Sequence, residues 1–289
     1  MAAPISIIFC GTPEFAIPCL DALIASKAFD VKLVITQPDK PVGRKQILTP
    51  PPIKILARQH GIPVEQPEDV NVFELKNLHV DFFLTVAYGQ IIKKHLLQLP
   101  SIAPVNVHPS LLPRWRGAAP IQNALLSGDR RTGVTIQHMT EELDAGDILG
   151  QEQIPITPGE TAETLHKKLS ALAASLLINT LSNPLHPQPQ NNEKITFCKK
   201  LSREDGIVSA ATMTAEEIDR HVRALVPWPG VTCTIGKEEV KIHQTSLEPS
   251  DDSFPLPCKN RTTLFILRIQ SPGKNILQGD EWARGNSMS

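Results

Sequence analysis

Asn106 and His108 stand two residues apart in the stretch Asn106-Val107-His108-Pro109-Ser110-Leu111-Leu112-Pro113-Arg114-Trp115-Arg116-Gly117, a segment rich in chemical groups. On an extended backbone, residues two apart point the same way, so the amide and the imidazole form a paired set of donors. Such donors suit an oxygen that gains negative charge, as in an acyl-transfer intermediate, where losing one donor costs roughly 10²–10³ in rate. A satisfied polar contact at a strand end is the alternative role for the pair. Pro109 and Pro113 bracket Ser110-Leu111-Leu112. Prolines there stiffen the backbone and lower the entropy lost on binding, which favours a ligand wall over a plain connection.

Asp144, in Thr140-Glu141-Glu142-Leu143-Asp144-Ala145-Gly146-Asp147, is the second candidate. It falls in a predicted turn between two strands, and Gly146 suits the tight bend. Alone it is an ordinary turn residue. Beside the Asn-His pair it offers a carboxylate to move a proton or to orient the histidine. The third candidate is the connection over residues 37–52, long against the two to six residues usual between strand and helix. From Asp39 to Arg58, Lys40, Arg44, Lys45, Lys54 and Arg58 stand against Asp39, five positive less one negative, a local +4. That is either an anion-facing patch or a solvated basic face.

Other chemistries lack their residues. Gly11-Thr12-Pro13-Glu14-Phe15 can close a strand before a helix, but it is not G-x-G-x-x-G, so a nicotinamide dinucleotide is disfavoured. There is no G-x-x-x-x-G-K-[ST], and Ser110 lacks a G-x-S-x-G setting. The nine histidines show no i, i+4 ligand spacing with a carboxylate, so no metal is expected. Cys10, Cys19, Cys198, Cys233 and Cys258 are scattered without C-x-x-C, which points away from a disulfide framework or zinc site and toward a reducing cytoplasm.

These groups need a scaffold, and the hydrophobic pattern supplies one. The chain has 289 residues, 41% hydrophobic and 20% charged, with a formal net charge of -1. That is globular material without global attraction to nucleic acid. No apolar run approaches the ~20 residues of a membrane span, and the start reads as a first strand, not a signal peptide. Short apolar strands are predicted at 5–10, 31–35, 63–65, 81–86 and 103–107. They alternate with helices at 15–26, 53–60, 70–77 and 91–97, the signature of an α/β fold with a mostly parallel sheet covered on both faces. A helix at 118–126, strands at 133–139 and 148–154 and an amphipathic helix at 161–181, with Thr161 as candidate N-cap, follow. Ligands in such folds bind beyond the carboxyl ends of the strands, where Asn106 and His108 fall. Residues 182–192 are polar and proline-rich, a linker by composition. A helix at 215–225 and strands at 232–235, 239–243 and 263–269 then predict a small all-β domain, barrel or sandwich. The expected division is 1–182 catalytic, 183–205 linker and 206–289 carboxy-terminal.

The Asn106-Val107-His108 strand end, the Ser110-Leu111-Leu112-Pro113 loop and Asp144-x-Gly146-Asp147, in that order and spacing, resemble the folate-dependent formyltransferases. Phe9-Cys10-Gly11-Thr12-Pro13-Glu14-Phe15-Ala16, Val86-Ala87-Tyr88-Gly89 and Arg114-Trp115-Arg116-Gly117-Ala118-Ala119-Pro120-Ile121 are similar to the same family. Arg223-Ala224-Leu225-Val226-Pro227-Trp228-Pro229-Gly230 and Pro272-Gly273-Lys274 look like its second domain, so the resemblance spans nearly the whole chain. It implies a Rossmann-like formyltransferase domain followed by an OB-like β-barrel. It also implies 10-formyltetrahydrofolate as co-substrate, no metal, no membrane, and a monomer in the bacterial cytoplasm. The extended 39–52 loop and the second domain favour the branch that formylates the α-amino group of initiator Met-tRNA for translation initiation. A small amine such as an amino-sugar nucleotide is the alternative acceptor.

The resemblance further implies roles. Asn106 and His108 would donate to the oxyanion, and Asp144 would relay the amine proton or hold His108. Folate would lie against Tyr88, Gly89, Gln90, Ile91, Ile92 and Thr140, with Ser110, Leu111, Leu112 and Pro113 as the adjoining wall. Lys40, Arg44, Lys45, Arg114 and Arg116 would meet tRNA phosphates, and Trp115 would stack on a terminal base or pack. Two departures stand out. Gln46 and Ile47 occupy the place of an expected glycine-lysine-rich stretch, and the segment between His243 and Thr263 is short. Residues 199–289 carry 12 Lys+Arg and 12 Asp+Glu, net zero, where a basic face is expected.

Overall fold

The computed structural model describes residues 3–43, 45–75 and 78–286. In chain order the strands and helices of the first half are β1 (Ile5–Gly11), α1 (Ile17–Ala25), β2 (Phe29–Ile35), β3 (Lys40–Val42), β4 (Ile47–Thr49), α2 (Pro52–Gln59), β5 (Val64–Glu65), β6 (Phe82–Val86), α3 (Lys94–Leu97), β7 (Ala103–His108), β8 (Arg116–Gly117), α4 (Pro120–Leu126), β9 (Arg131–His138), β10 (Ile148–Pro155) and α5 (Ala162–Leu181). After the proline-rich segment come β11 (Phe197–Cys198), β12 (Ile207–Val208), α6 (Ala215–Leu225), β13 (Val231–Ile235), β14 (Glu238–Ser246), β15 (Phe254–Pro257), β16 (Thr263–Gln270), β17 (Leu277–Gln278) and α7 (Gly279–Gly285). They divide into two compact units. One holds Met1–Gly117, Thr132–Ile154 and His166–Phe197, and the other holds Ala118–Arg131, Pro155–Leu165 and Cys198–Ser289. Against the expected boundaries, residues 118–131 and 155–165 join the second unit, and residues 183–197 join the first.

The first unit is built on a seven-stranded sheet in the order β10-β9-β7-β6-β1-β2-β5. Its members β5, β2, β1, β6 and β7 run parallel, and β9 is antiparallel to β7. From β1 the chain builds outward through β2 to β5, then returns to the other side of β1 for β6 and β7. The order therefore reverses between β1 and β6, the place where α/β sheets open a crevice at the strands' carboxyl ends. The burial explains the near-continuous apolar strands: all five residues of β6 are buried. Ile8, Cys10, Leu33, Ile35, Phe83, Tyr88 and Leu96 belong to one buried cluster on this sheet. Each fully buried aliphatic or aromatic side chain there contributes about 1.5–3 kcal/mol.

The helices start where the chain's prolines and hydroxyls allow. Proline occupies the first turn of α1, α2 and α4, where its missing N–H costs nothing. Thr161 caps α5 by accepting from the Thr164 N–H at 3.2 Å. Leu165, Leu169, Ala173, Leu177 and Leu181, four residues apart, form the buried stripe of α5.

Two expected helices are shorter than their apolar spacing suggests. Only Lys94–Leu97 is helical in the 91–97 stretch, because the Asn71 side chain takes the neighbouring backbone. Its Nδ2 donates to the Ile91 carbonyl at 2.9 Å and its Oδ1 accepts from the Lys93 N–H at 2.8 Å. Within 70–77, one 3-10 turn forms at Val70–Val72, begun by Asp69 accepting from the Asn71 N–H, and residues 76 and 77 lie outside the described set. Conversely, the long 39–52 connection contains an antiparallel hairpin of β3 and β4.

In the second unit, a six-stranded sheet runs β12-β13-β14-β16-β15, with β17 beside β16. Helix α6 packs on β14 and β16, and α7 on β15 and β16. The amino end of α6 is a capping box, the Thr214 hydroxyl accepting from the Glu217 N–H while the Glu217 carboxylate accepts from the Thr214 N–H. This is the expected small β domain.

Candidate active site

The sheet register lines up the polar groups. Thr85 on β6 pairs with Asn106 on β7, and Asn106 with Gln137 on β9. Residues opposed across strands share a face, so three polar side chains lie in a row in an otherwise apolar region of the sheet. The Thr85 hydroxyl donates to Asn106 Oδ1 at 2.7 Å. With its oxygen so held, Asn106 presents its amide hydrogens outward, and Nδ2 lies 3.5 Å from Asp144 Oδ1. One row further along β7, His108 is opposite Thr135. The Thr135 hydroxyl donates to the Ser110 carbonyl at 2.7 Å and accepts from the Leu112 N–H at 3.2 Å, which ties the proline-bracketed loop down onto β9.

Asp144 reaches this row from the β9–β10 loop. The His138 N–H donates to the Asp147 carbonyl and closes that loop. Gly146 packs so tightly inside it that any Cβ would collide with the His138 carbonyl. Asp144 itself has a φ of 53°, in the left-handed region. Backbone held there costs of order 1–3 kcal/mol, and such strain concentrates at functional sites. The carboxylate is almost fully enclosed. Oδ1 accepts from Gln137 Nε2 at 2.9 Å, and Oδ2 accepts from the Gly117 N–H at 2.9 Å. His108 Nδ1 stands 3.6 Å from Oδ1.

The other ring nitrogen, His108 Nε2, lies 2.9 Å from the Trp115 carbonyl. A carbonyl only accepts, so Nε2 carries a hydrogen. Nδ1 then faces a carboxylate and the direction in which Asn106 points. Nδ1 can donate in that direction when the ring carries a second hydrogen. The Trp115 carbonyl is set in place by its own residue's left-handed φ of 62° and by the Trp115 N–H donating to Thr196 Oγ1 at 2.9 Å.

A glutamine from the proline-rich segment completes the enclosure. Gln190 Nε2 donates to the carbonyls of Asp144 at 2.8 Å and Gly146 at 2.7 Å. Its Oε1 accepts from Arg116 Nε at 3.1 Å and Nη2 at 2.8 Å. Further back, Gln188 and Ile148 exchange backbone hydrogen bonds. The segment read as a linker from its composition is thus a brace for the loop carrying Asp144.

Sequence reasoning missed Gln137 and Gln190. Gln137 had only a weak signal: with Thr135 it forms the polar half of an alternation with Val134 and Ile136 on β9, and the structure buries both halves. Gln190 had none beyond its place in a polar tract.

The structure thus brings Asn106, His108 and Asp144 together. Arg116, expected at a tRNA phosphate, is only 3% exposed, and its guanidinium is directed to Gln190 and Glu142. Lys54, counted in the basic patch, is also buried, with Nζ 2.7 Å from Asp39. Hydrogen bonds from Lys54, and then from Gln66, hold the Asp39 carboxyl below its usual range. Lys40 and Lys45 are exposed in the β3–β4 hairpin beside the exposed apolar side chains of Val42, Ile47 and Leu48. Arg44 lies outside the described residues. Arg114 is half-buried, its guanidinium 4.3 Å from the ring centre of Trp115.

The expected folate residues divide as well. Ser110 is buried and its hydroxyl donates to the Arg114 carbonyl at 2.6 Å, so it shapes the loop and does not offer a free hydroxyl. Leu112 is buried and Leu111 and Pro113 are half-buried. Tyr88 is buried, and burial pushes its hydroxyl pKa up. Its carbonyl accepts from the Thr12 hydroxyl at 3.0 Å, which laces together the carboxyl ends of β1 and β6. Gly89 has a φ of 88°, and Gln90 is fastened by Oε1 accepting from the Val70 N–H. Ile92 is buried, whereas Ile91 is 76% exposed and Thr140 is exposed. Ile91, Ile92, Lys93, Lys94 and Glu141 line an open cleft of ≈ 540 Å³. Glu141 ties that cleft to the loop of Asp144. Among the described residues, no group of three or more His, Cys, Asp or Glu side chains is placed to hold a metal ion, and no helix is long and apolar enough to cross a membrane.

Comparison with known proteins gives two family matches, "Formyl transferase" over residues 4–181 and "Formyl transferase, C-terminal domain" over residues 200–287. A methionyl-tRNA formyltransferase of Bacillus cytotoxicus is 39% identical, the match covering 98% of this chain and 96% of the relative. One from Halorhodospira halophila is 44% identical over 82% and 78% of the two chains. Among solved structures, an N-formyltransferase of Helicobacter canadensis in complex with folinic acid and dTDP-3-aminofucose superposes with a TM-score of 0.68. It is 18% identical, with 92% of this chain and 99% of that one covered.

Proposed function

The chain belongs to the formyl transferase family, and from that premise we propose that it transfers the formyl group of 10-formyltetrahydrofolate to the α-amino group of methionine on initiator Met-tRNA. The observation that carries the mechanism is the convergence of Asn106 Nδ2, His108 Nδ1 and Gln137 Nε2 around Asp144 Oδ1.

The attacking amine must be neutral, and free α-amino groups titrate near 7.7 to 8.0, so a base beside it is useful at neutral pH. The amine nitrogen bonds to the formyl carbon, and the carbonyl π pair moves onto oxygen. The resulting oxyanion is met by an Asn106 Nδ2 hydrogen and by His108 Nδ1, which donates more strongly when the ring is protonated and is left for this task because Nε2 is committed to the Trp115 carbonyl. Preset donors of this kind lose nothing to reorganisation during the reaction. As the tetrahedral species collapses, the carbon–nitrogen bond to folate breaks. The proton shed by the amine passes by way of Asp144 to the departing folate nitrogen. Nothing is bonded covalently to the protein, because holding both substrates in reacting geometry suffices and contributes up to roughly 7–11 kcal/mol.

Folate is placed along residues 88–92 and Thr140, with residues 110–113 as the adjoining wall. Lys40 and Lys45 of the β3–β4 hairpin, with Arg44 and Arg114, meet tRNA phosphates. The chain acts as a monomer in the bacterial cytoplasm.

The deciding assay offers 10-formyltetrahydrofolate together with charged initiator tRNA, free methionine and amino-sugar nucleotides. Transfer to charged tRNA is expected. Transfer confined to the amino sugars overturns the acceptor assignment, and no transfer at all overturns the reaction.

A further inference from the structure

Gln137 is 2% exposed, on a strand whose neighbouring buried positions include Val134 and Ile136. Its Nε2 makes the shortest side-chain contact to Asp144 Oδ1, 2.9 Å against 3.5 Å from Asn106 and 3.6 Å from His108. Its Oε1 is buried and has no hydrogen-bond partner among the described residues. The amide cannot turn over to relieve this, because Oε1 would then face the carboxylate. A buried acceptor left unpaired is costly, and an apolar side chain of the same length would avoid that cost. Gln137 is therefore poorly explained as a stabilising residue.

We propose that Gln137 is a positioning residue for formyl transfer, its amide holding the Asp144 carboxylate so that Asn106 and His108 direct their hydrogens at the substrate oxygen. The proposal rests on the reading of function above. Three donors surround one carboxylate oxygen. The tight bond from Gln137 satisfies that oxygen, and the two longer contacts leave Asn106 and His108 able to turn their donors to the oxyanion as it forms. Without the Gln137 N–H, Asn106 and His108 close on Asp144, and the donor pair is withdrawn from the reacting carbon. This loss appears in the chemical step, since the Gln137 amide acts through the Asp144 carboxylate it holds.

Gln137→Met and Gln137→Glu test it together. The first is apolar and the second keeps the shape and an oxygen, and both lack the N–H donor. Expected for both is a 10- to 100-fold loss of kcat, with KM for 10-formyltetrahydrofolate and for charged tRNA within about twofold of the parent. The melting temperature of Gln137→Met is expected to be unchanged or raised. A kcat within twofold of the parent in either variant overturns the role. So does a kcat loss in Gln137→Met accompanied by a lower melting temperature and a parallel rise in both KM values, which marks a structural residue. A parent without formyl transfer overturns the reading of function and this role with it, whereas an active parent with equally active variants overturns this role alone.

Discussion

Arg116 grips Gln190: two guanidinium nitrogens, Nε and Nη2, donate to Oε1 of the glutamine, whose own amide donates to the carbonyls of Asp144 and Gly146. The fork fixes the glutamine, and the glutamine fixes a strained loop. A bidentate contact of this sort requires the planar guanidinium, so lysine cannot replace it.

Gln190→Ala is expected to lower kcat by at least tenfold while changing tRNA affinity less than twofold. Arg116→Lys should behave alike, and its plot of log Kd against log salt should keep the parent's slope. Filter binding of charged tRNA across a salt series checks the second half, and a flatter slope would return Arg116 to the tRNA interface.

His108→Ala and Asp144→Ala are each expected to lose about 10²-fold or more in kcat, the scale of a preset oxyanion donor for the first and of a proton-transfer group for the second. Binding of a non-transferable folate, followed by fluorescence, should survive both changes. Near-parental turnover in either variant rules out the mechanism.

Lys45→Ala should weaken binding of charged tRNA and reduce the magnitude of the salt slope. One lost contact is worth about 0.7 on a single strand and about 0.9 on a duplex. kcat at saturating tRNA should hold. An unchanged slope would remove the β3–β4 hairpin lysine from the contact.

Asp81 joins the amino ends of β1 and β6. The Ser6 N–H and hydroxyl both donate to its Oδ2 at 2.8 Å, and the Ser101 hydroxyl donates to Oδ1 at 2.9 Å. The Ser6 bonds, backbone first, hold its carboxyl pKa below the usual value. A lowered folded value means the stabilisation is fully present above the unfolded pKa near 3.9 and fades as pH falls through the folded value. Asp81→Asn should therefore destabilise by about 1.5–3 kcal/mol at pH 7, the scale of hydrogen bonds to a charged group. The difference should shrink steadily below about pH 4. Urea unfolding at pH 7 and pH 3 measures both, and an equal difference at the two values would refute the assignment.

The parallel sheet was legible because its strands, such as the fully buried β6, are continuous apolar runs between turn residues. Asn106 and His108 were legible because a two-residue spacing at a strand end dictates a shared face. Asp144 was readable as a turn carboxylate, but its meeting with them depends on the antiparallel placement of β9 beside β7, which no local pattern states. The helix expected over 91–97 failed because the competing partner, Asn71, is twenty residues away in sequence. Charge counting misled at Lys54 for a related reason: composition registers a cation without registering that Asp39 already takes it.

Because Gln190 lies beyond α5, a fragment cut at residue 182 retains Asn106, His108 and Asp144 yet loses the clasp on the loop that presents the carboxylate. Excising the amino-terminal portion at its apparent compositional seam therefore separates the reactive groups from the part that keeps them in register. A trimmed enzyme that folds but turns over slowly is the outcome this architecture dictates, and the shortest competent version extends past Gln190.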